Sequence, residues 1–266
     1  MADHYNMYHL KHVAGTIAAC MELPLPEAYA PGIDWVVDIL KARLGGAADR
    51  VVMYHADAVG LYMWQKYTNI FAPVYAHTQL ALPYVSTIES VTPVAHASMY
   101  TGLMPEEHGI QTYVRPELQC STLYDVLIAA GKKPAIAALV DSTFTHIFTG
   151  RDMPIIPENT GIETINRGIE LAVSDEYDLV SIHTSSYDSA AHAYGPESKE
   201  ALNALCMEAE GFERLSLALQ KNRGKHRTLL VYAPDHGQHP IAGGRGSHGS
   251  MMIEDMNVLH FFGVIV

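Results

Sequence analysis

A three-layer α/β/α sandwich, with helices on both faces of a mostly parallel central sheet, is the fold this sequence predicts. Three observations carry the expectation. Short β-branched or apolar runs alternate with longer segments of helical period. Several of those runs empty directly into loops rich in Asp and His, the place where open parallel sheets put their functional groups. No internal repeat or Ser-rich linker divides the chain, and 266 residues with 48% hydrophobic content suffice for one full core. Residues 1–266 are therefore expected to form a single domain.

Taken in order, Leu10, Val13, Ala14, Ile17 and Met21 recur at helical spacing and predict an amphipathic helix. The tetrapeptide Ile17-Ala18-Ala19-Cys20 looks like a lipoprotein cleavage box, but Lys11, His12, Gly15 and Thr16 interrupt the apolar run before it. Pro24 and Pro26 break the pattern, a second helix follows over 34–44, and Gly45-Gly46 stops it. Arg50 to His55 reads as the first strand and delivers Asp57 just beyond its end. Taken alone, Asp57 is equally a turn former or a helix cap. Residues 60 to 88 carry Tyr62, Trp64, Tyr67, Phe71, Tyr75 and Tyr84, which fit core packing or the wall of a pocket.

Thr92 stands before Pro93 at a strand-to-helix junction, with the helix running through Ala95, Ser98 and Met99 to Gly102. Proline suits the first turn of a helix, so the N–H groups and the positive dipole end would face an anion beside Thr92. On local grounds a Thr-Pro pair is simply a helix start. His108, in a turn before glycine, is expected to be structural. A helix capped by Ser121 or Thr122 and running through Ala130, a strand from Pro134 to Val140 and an exit at Asp141 form another βα unit. Residues 142–161 hold Pro154, Pro157 and Gly161 with little periodicity and are expected to be a surface loop, a candidate lid. A helix over about 163–173 leads to a strand from Tyr177 to His183, whose exit contains Asp188 and His192. The long helix from Glu197 to Lys221 precedes the strand Arg227 to Ala233, which empties into Asp235-His236-Gly237. A glycine-rich loop with His248 and a closing strand from Val258 to Val266 complete the order.

The formal charge of -12 argues against binding a nucleic-acid polymer, which needs clustered Lys and Arg. Cys20, Cys120 and Cys206 are far apart and form no CxxC pair, which fits a reducing compartment. No run of 18 apolar residues occurs, so a cytoplasmic protein without a membrane span is expected.

Asp and His at strand exits, with no thiolate beside them, are ligands that suit a zinc-class metal rather than a Cys-type structural zinc. Singly, each has an ordinary explanation: Asp235-His236 as a hydrogen-bonded turn, Asp188 and His192 as a helix pair at i and i+4. Their recurrence beside a hydroxyl residue is what a two-metal phosphoryl-transfer site requires.

Asp57, then Thr92-Pro-Val-Ala-His-Ala-Ser with Tyr-Thr-Gly-Leu-Met-Pro-Glu-Glu-His-Gly-Ile, then Asp188 and His192 before Tyr194-Gly195-Pro196, then Asp235-His236-Gly237 and His248-Gly249 resemble the alkaline phosphatase superfamily. Within it the resemblance is to type I phosphodiesterase/nucleotide pyrophosphatase proteins. It implies an alkaline phosphatase-like fold and a phosphodiesterase, pyrophosphatase or phosphatase acting on a small-molecule phosphoester. It further implies one metal at Asp57, Thr92, Asp235 and His236, a second at Asp188, His192 and His248, and Thr92 as the nucleophile that forms a phosphothreonine. Zinc is the expected metal, and Asp and His also accept manganese. The sequence departs from the family at Ala58, where glycine is usual, and at Ala95, where nucleotide pyrophosphatases often carry a phosphate-binding asparagine. His96 keeps a family position with a packing role as fitting as a catalytic one, and His239 is expected to lie outside the reaction. The rival readings are a metal-binding or sensing domain without turnover, and a sulfatase or phosphonate hydrolase on the same fold. The sulfatase pattern C/S-x-P-x-R is not met by Thr92-Pro93-Val94-Ala95-His96.

Overall fold

The computed structural model describes residues 5–266. Ten strands occur among them: β1 (Tyr8–His9), β2 (Arg50–Ala56), β3 (Leu80–Val85), β4 (Pro134–Leu139), β5 (Ile155–Glu158), β6 (Leu179–Thr184), β7 (Thr228–Tyr232), β8 (His239–Ile241), β9 (Arg245–Ser247) and β10 (Asn257–Ile265). Eight of them form one sheet in the order β1-β3-β10-β7-β2-β6-β4-β5, while β8 and β9 make a separate hairpin. Within the large sheet β10 alone runs against its neighbours, pairing antiparallel with β3 and with β7. The pairs of β2 with β6 and β7, and of β4 with β5 and β6, are parallel. The α/β/α sandwich with a mostly parallel sheet is thus the observed architecture.

Alternation along β2 shows how the sheet divides the core. Val51 and Met53 pack into one apolar cluster with the helices His12–Cys20 and Thr92–Thr101, whereas Val52, Tyr54 and Ala56 pack into the other with Lys199–Gln220. Strands buried on both faces read as continuous apolar runs, which is why β2, β4, β6 and β7 are visible in the sequence.

Three expectations need correction. The first helix is buried on nearly every side, from Val13 to Ala18 and again at Cys20, rather than amphipathic. Gly15 is its point of close approach: a Cβ there would sit 2.5 Å from the Ala30 carbonyl oxygen. The aromatic stretch 60–88 contains β3, hidden by Pro83, whose lack of an N–H normally disfavours a central strand position. The stretch 142–161 is not a structureless loop. It holds the helix Thr143–Ile147 and β5, a strand at the sheet edge where Pro157 is tolerated, and Phe144, Ile147 and Phe148 anchor it in the core. No helix among the described residues is long and apolar enough to cross a membrane. All three cysteines are free thiols.

Candidate active site

The C-terminal ends of β2, β4 and β6 open onto a cavity of about 660 Å³ lined by Asp57, Thr92, Asp188, His192 and His248, while Asp235 and His236 lie buried behind Asp57 and Thr92. Asp57 follows β2 directly, its N–H donating to the Thr184 carbonyl at the exit of β6 (3.0 Å). Asp235 and His236 follow β7 and are fully buried. Asp188 and His192 lie on the helix Ser186–Tyr194, and His248 comes from the glycine loop after β9. Thr92 is the first residue of the helix Thr92–Thr101, with Val91 as its N-cap and Pro93 in its first turn.

Two triads result. Asp57, Asp235 and His236 form one, and Asp188, His192 and His248 the other, each with donor atoms that lie within 4.8 Å of one another. In the first, the Thr92 hydroxyl oxygen sits 3.4 Å from Asp57 Oδ1 and 3.4 Å from His236 Nε2. His236 Nε2 is also 3.5 Å from Asp57 Oδ1 and 3.4 Å from Asp235 Oδ2. In the second, Asp188 Oδ1 is 3.3 Å from His192 Nε2 and 3.6 Å from His248 Nε2. These separations are long for hydrogen bonds but match the edges of a coordination tetrahedron, which are about 3.3–3.6 Å for ligand bonds of about 2.0–2.2 Å.

The histidines are also oriented as ligands. His236 Nδ1 lies 3.0 Å from the Gly237 carbonyl, His192 Nδ1 3.0 Å from that of Gly246 and His248 Nδ1 3.1 Å from that of Ser90. A ring that donates Nδ1–H to a backbone carbonyl keeps its lone pair on Nε2, and in all three cases Nε2 faces the carboxylates. Burial, and next the Asp235 carboxylate, push the Asp57 carboxyl well above its usual range. Burial works against Asp235 as well, yet His236 and His96 hold it well below that range, and its Oδ2 has no hydrogen-bond partner. Two facing buried carboxylates with an orphaned oxygen fit a bound cation, because such a pair is costly without countercharge.

The environment of Thr92 corrects one expectation. Pro93 has no N–H, and the N–H groups of Val94 and Ala95 both donate to the Val91 carbonyl (3.1 and 3.0 Å), so they are not free to hold an anion. Ala95 is fully buried and supplies no donor. Ala58 stands where the family resemblance leads to glycine. It adopts φ 63°, the left-handed conformation that favours glycine, and its N–H donates to Asp235 Oδ1 at 3.2 Å.

His108 is structural as expected, its Nε2 3.0 Å from Ser98 Oγ and its Nδ1 accepting from the Ile110 N–H, with burial lowering it to about 4. His239 pairs with Asp255 at 2.7 Å, away from both triads. Sequence reasoning missed three groups. Gln238 donates to Asp188 Oδ1 at 2.7 Å and fixes that carboxylate. Among the described residues, Arg115 is the only Lys or Arg lining the cavity, and it forms neither a hydrogen bond nor an ion pair with any of them. His183, the penultimate residue of β6, lies beside Asp57, its Nε2 3.6 Å from Oδ2. The sequence marks it only as the end of the strand from Tyr177, and its pairing with His55 across β2 and β6 is the signal that singles it out.

Residues 137–259 match the family model of type I phosphodiesterase / nucleotide pyrophosphatase. That span contains Asp188, His192, Asp235, His236 and His248, whereas Asp57 and Thr92 lie before it and are brought to the site by the fold. Among solved structures, murine ectonucleotide pyrophosphatase/phosphodiesterase 5, as an inactive variant in complex with AMP, shares 14% identity at TM-score 0.58 and is covered over 73% of this chain and 59% of that one. The human counterpart shares 16% identity at TM-score 0.55, over 73% of this chain and 58% of that one. Phosphonoacetate hydrolase from Sinorhizobium meliloti 1021, in complex with phosphonoformate, shares 15% identity at TM-score 0.57, over 74% of this chain and 59% of that one. This chain therefore spans less than two thirds of the length of those proteins. No curated protein sequence matches it. By the family model across residues 137–259 and by its fold, the chain resembles type I phosphodiesterase/nucleotide pyrophosphatases within the alkaline phosphatase superfamily.

Proposed function

We propose that the protein is a metal-dependent hydrolase of small-molecule phosphoesters that works through a phosphothreonine on Thr92. The observation that carries this reading is the position of the Thr92 hydroxyl, 3.4 Å from both Asp57 and His236 at the floor of a cavity that also receives Asp188, His192 and His248. Asp57, Thr92, Asp235 and His236 would hold one divalent cation and Asp188, His192 and His248 a second, with zinc suited to these donors. When bound, such ions lower the pKa of a hydroxyl and neutralise charge on phosphoryl oxygens.

The chain's own groups account for the rest. Thr92 Oγ attacks phosphorus, its proton passing to solvent in the open cavity, and the P–O bond to the leaving group breaks as the Oγ–P bond forms. The rigid start of the Thr92–Thr101 helix holds the nucleophile in one place. With no side-chain donor at position 95 and the Val94 and Ala95 N–H groups already paired, Arg115 is the cationic side chain of the cavity that would meet a phosphoryl oxygen or a second anionic group of the substrate. Water then attacks the phosphothreonine from the vacated side, breaks the Oγ–P bond and restores the hydroxyl. AMP in one structural relative and phosphonoformate in another support a phosphate- or phosphonate-sized ligand in this cavity.

The test joins elemental analysis to assays on a chromogenic monoester, a diester and a phosphonate. The expected result is two zinc-class ions and turnover of at least one substrate, with Thr92→Ala losing roughly a thousandfold or more of it while keeping most of the metal. Two bound metals without turnover on any of the three would favour a binding domain instead. Full activity in Thr92→Ala would remove the nucleophile from the account.

A further inference from the structure

Behind the two triads, between β2, β6 and the Thr92–Thr101 helix, lies a group of imidazoles that the proposed chemistry does not use. His55, His96 and His183 pack with Phe144: the His55–His96 centroids are 4.9 Å apart, the His96–His183 centroids 5.1 Å, and His183 stacks on Phe144 at 4.7 Å. His55 is satisfied at both nitrogens, by the Ala233 carbonyl at 2.8 Å and the Tyr100 hydroxyl at 2.7 Å. The other two are not. His96 Nδ1 lies 3.0 Å from the Thr92 carbonyl and 3.3 Å from Asp235 Oδ2, and its Nε2 has no partner. Neither nitrogen of His183 has a hydrogen-bond partner, and Asp235 Oδ2 has none either, only ion-pair contacts to His96 Nδ1 at 3.3 Å and His236 Nε2 at 3.4 Å. All three residues are at most 1% exposed. Folded proteins rarely leave buried polar atoms unpaired, and here the unpaired atoms gather in one place. One donor atom from each of His96, His183 and Asp235 lies within 4.8 Å of the other two.

We propose that His96, His183 and Asp235 form a third cation site for a zinc-class divalent metal, sharing the Asp235 carboxylate with the Asp57–Asp235–His236 centre. It rests on the two-centre reading through that shared carboxylate and through the charge of the two ions proposed there. Two imidazole nitrogens and one carboxylate oxygen are a donor set that zinc and cobalt accept, with one position left for water. An entry path exists, because His183 lines the 660 Å³ cavity from which the other two triads are reached. Charge decides when the site fills. With the other centres filled, Asp57, Asp188 and Asp235 would already face two divalent ions, so a third would add positive charge that an oxyanion in the cavity offsets. Occupancy of the third site therefore rises when a phosphate mimic is bound.

The experiment counts metal rather than turnover. Protein stripped by chelator is reloaded with Co²⁺ in the presence of orthovanadate, freed of excess metal by gel filtration and analysed for cobalt per chain, with visible absorption recorded in parallel. The expected result is three equivalents in the native protein and two in His183→Phe, which preserves the stack on Phe144, with loss of part of the visible absorption. His96→Gln serves as the second variant, with circular dichroism to show that each is folded. Two equivalents in the native protein overturn the third site and leave the two-centre reading intact. Three equivalents in both the native protein and the His183→Phe variant also overturn it, since the third ion then lies elsewhere. Fewer than two, with none lost in His183→Phe, overturn both readings. A single equivalent that survives Asp188→Asn but disappears in His183→Phe would support this site and overturn the two-centre reading.

Discussion

The two triads share one cavity but are held in different ways. Asp57, Asp235 and His236 stand on the ends of central strands, with side chains at most 5% exposed. Asp235 is fixed there by the His236 and Ala58 N–H groups on Oδ1, and Ser86 ties down its carbonyl. Asp188, His192 and His248 stand on a nine-residue helix and a glycine loop, with side chains 17%, 42% and 10% exposed. The contrast assigns different work to the two halves. On the proposed reading, the buried strand ends hold the centre beside Thr92, whereas the helix and loop face solvent, where ligands can exchange.

Breaking each half should show the difference directly. His236→Ala leaves Asp57 and Asp235 facing each other in the interior and is expected to cost about 3 kcal/mol of metal-free stability, because it removes the partner of buried charge. His192→Ala removes a half-exposed partner of Asp188 and is expected to cost less than about 1 kcal/mol. Denaturant midpoints on chelator-treated protein check both, and equal losses would mean that the halves are not held differently. In metal content, each variant should lose one equivalent.

Metal exchange sharpens the same contrast. Chelator is expected to draw out two ions in two phases, the faster from Asp188, His192 and His248. Protons should follow the same division. The hydrogen bond to Asp188 raises His192 above its ordinary value, so at mildly acidic pH it carries a proton that metal must displace. Burial lowers His248 to about 3, so it is already neutral there. Affinity at the open centre should then fall as pH drops through the raised His192 pKa, with about one proton released per ion bound. Titration in weakly buffered solution with a pH indicator reads this, and a His192→Gln variant that releases as many protons would contradict it.

The smallest effect concerns the buried half alone. Ala58 holds a left-handed backbone beside Asp57, which costs roughly 1–2 kcal/mol for a residue with a Cβ. Ala58→Gly relieves that strain but gives back part of it through the freer unfolded chain, so a net gain of up to about 1 kcal/mol is expected, read as a rise in the denaturant midpoint.

These regions also differ in how far the sequence disclosed them. The buried strands β2, β4, β6 and β7 announce themselves as apolar runs, and their Asp and His exits follow from the rule that parallel sheets work at their C-terminal ends. All seven residues expected to hold metal or attack phosphorus come together in the structure. What stayed hidden was written in a pattern that local reading discounts. Prolines disguise β3 and β5. The need for φ > 0 at Ala58 depends on where the chain turns toward Asp235, and the loss of free N–H groups after Thr92 depends on how tightly the helix starts. His183 is legible as a site residue only once β6 is laid beside β2.

The most direct test of the account is to quench the metal-loaded enzyme in acid during turnover and map phosphorylation by peptide mass spectrometry. A phosphoryl group on the peptide carrying Thr92, absent from Thr92→Ala, is the expected result. Steady turnover with that peptide unmodified, and undiminished turnover in Thr92→Ala, would show that phosphorus is attacked by something else.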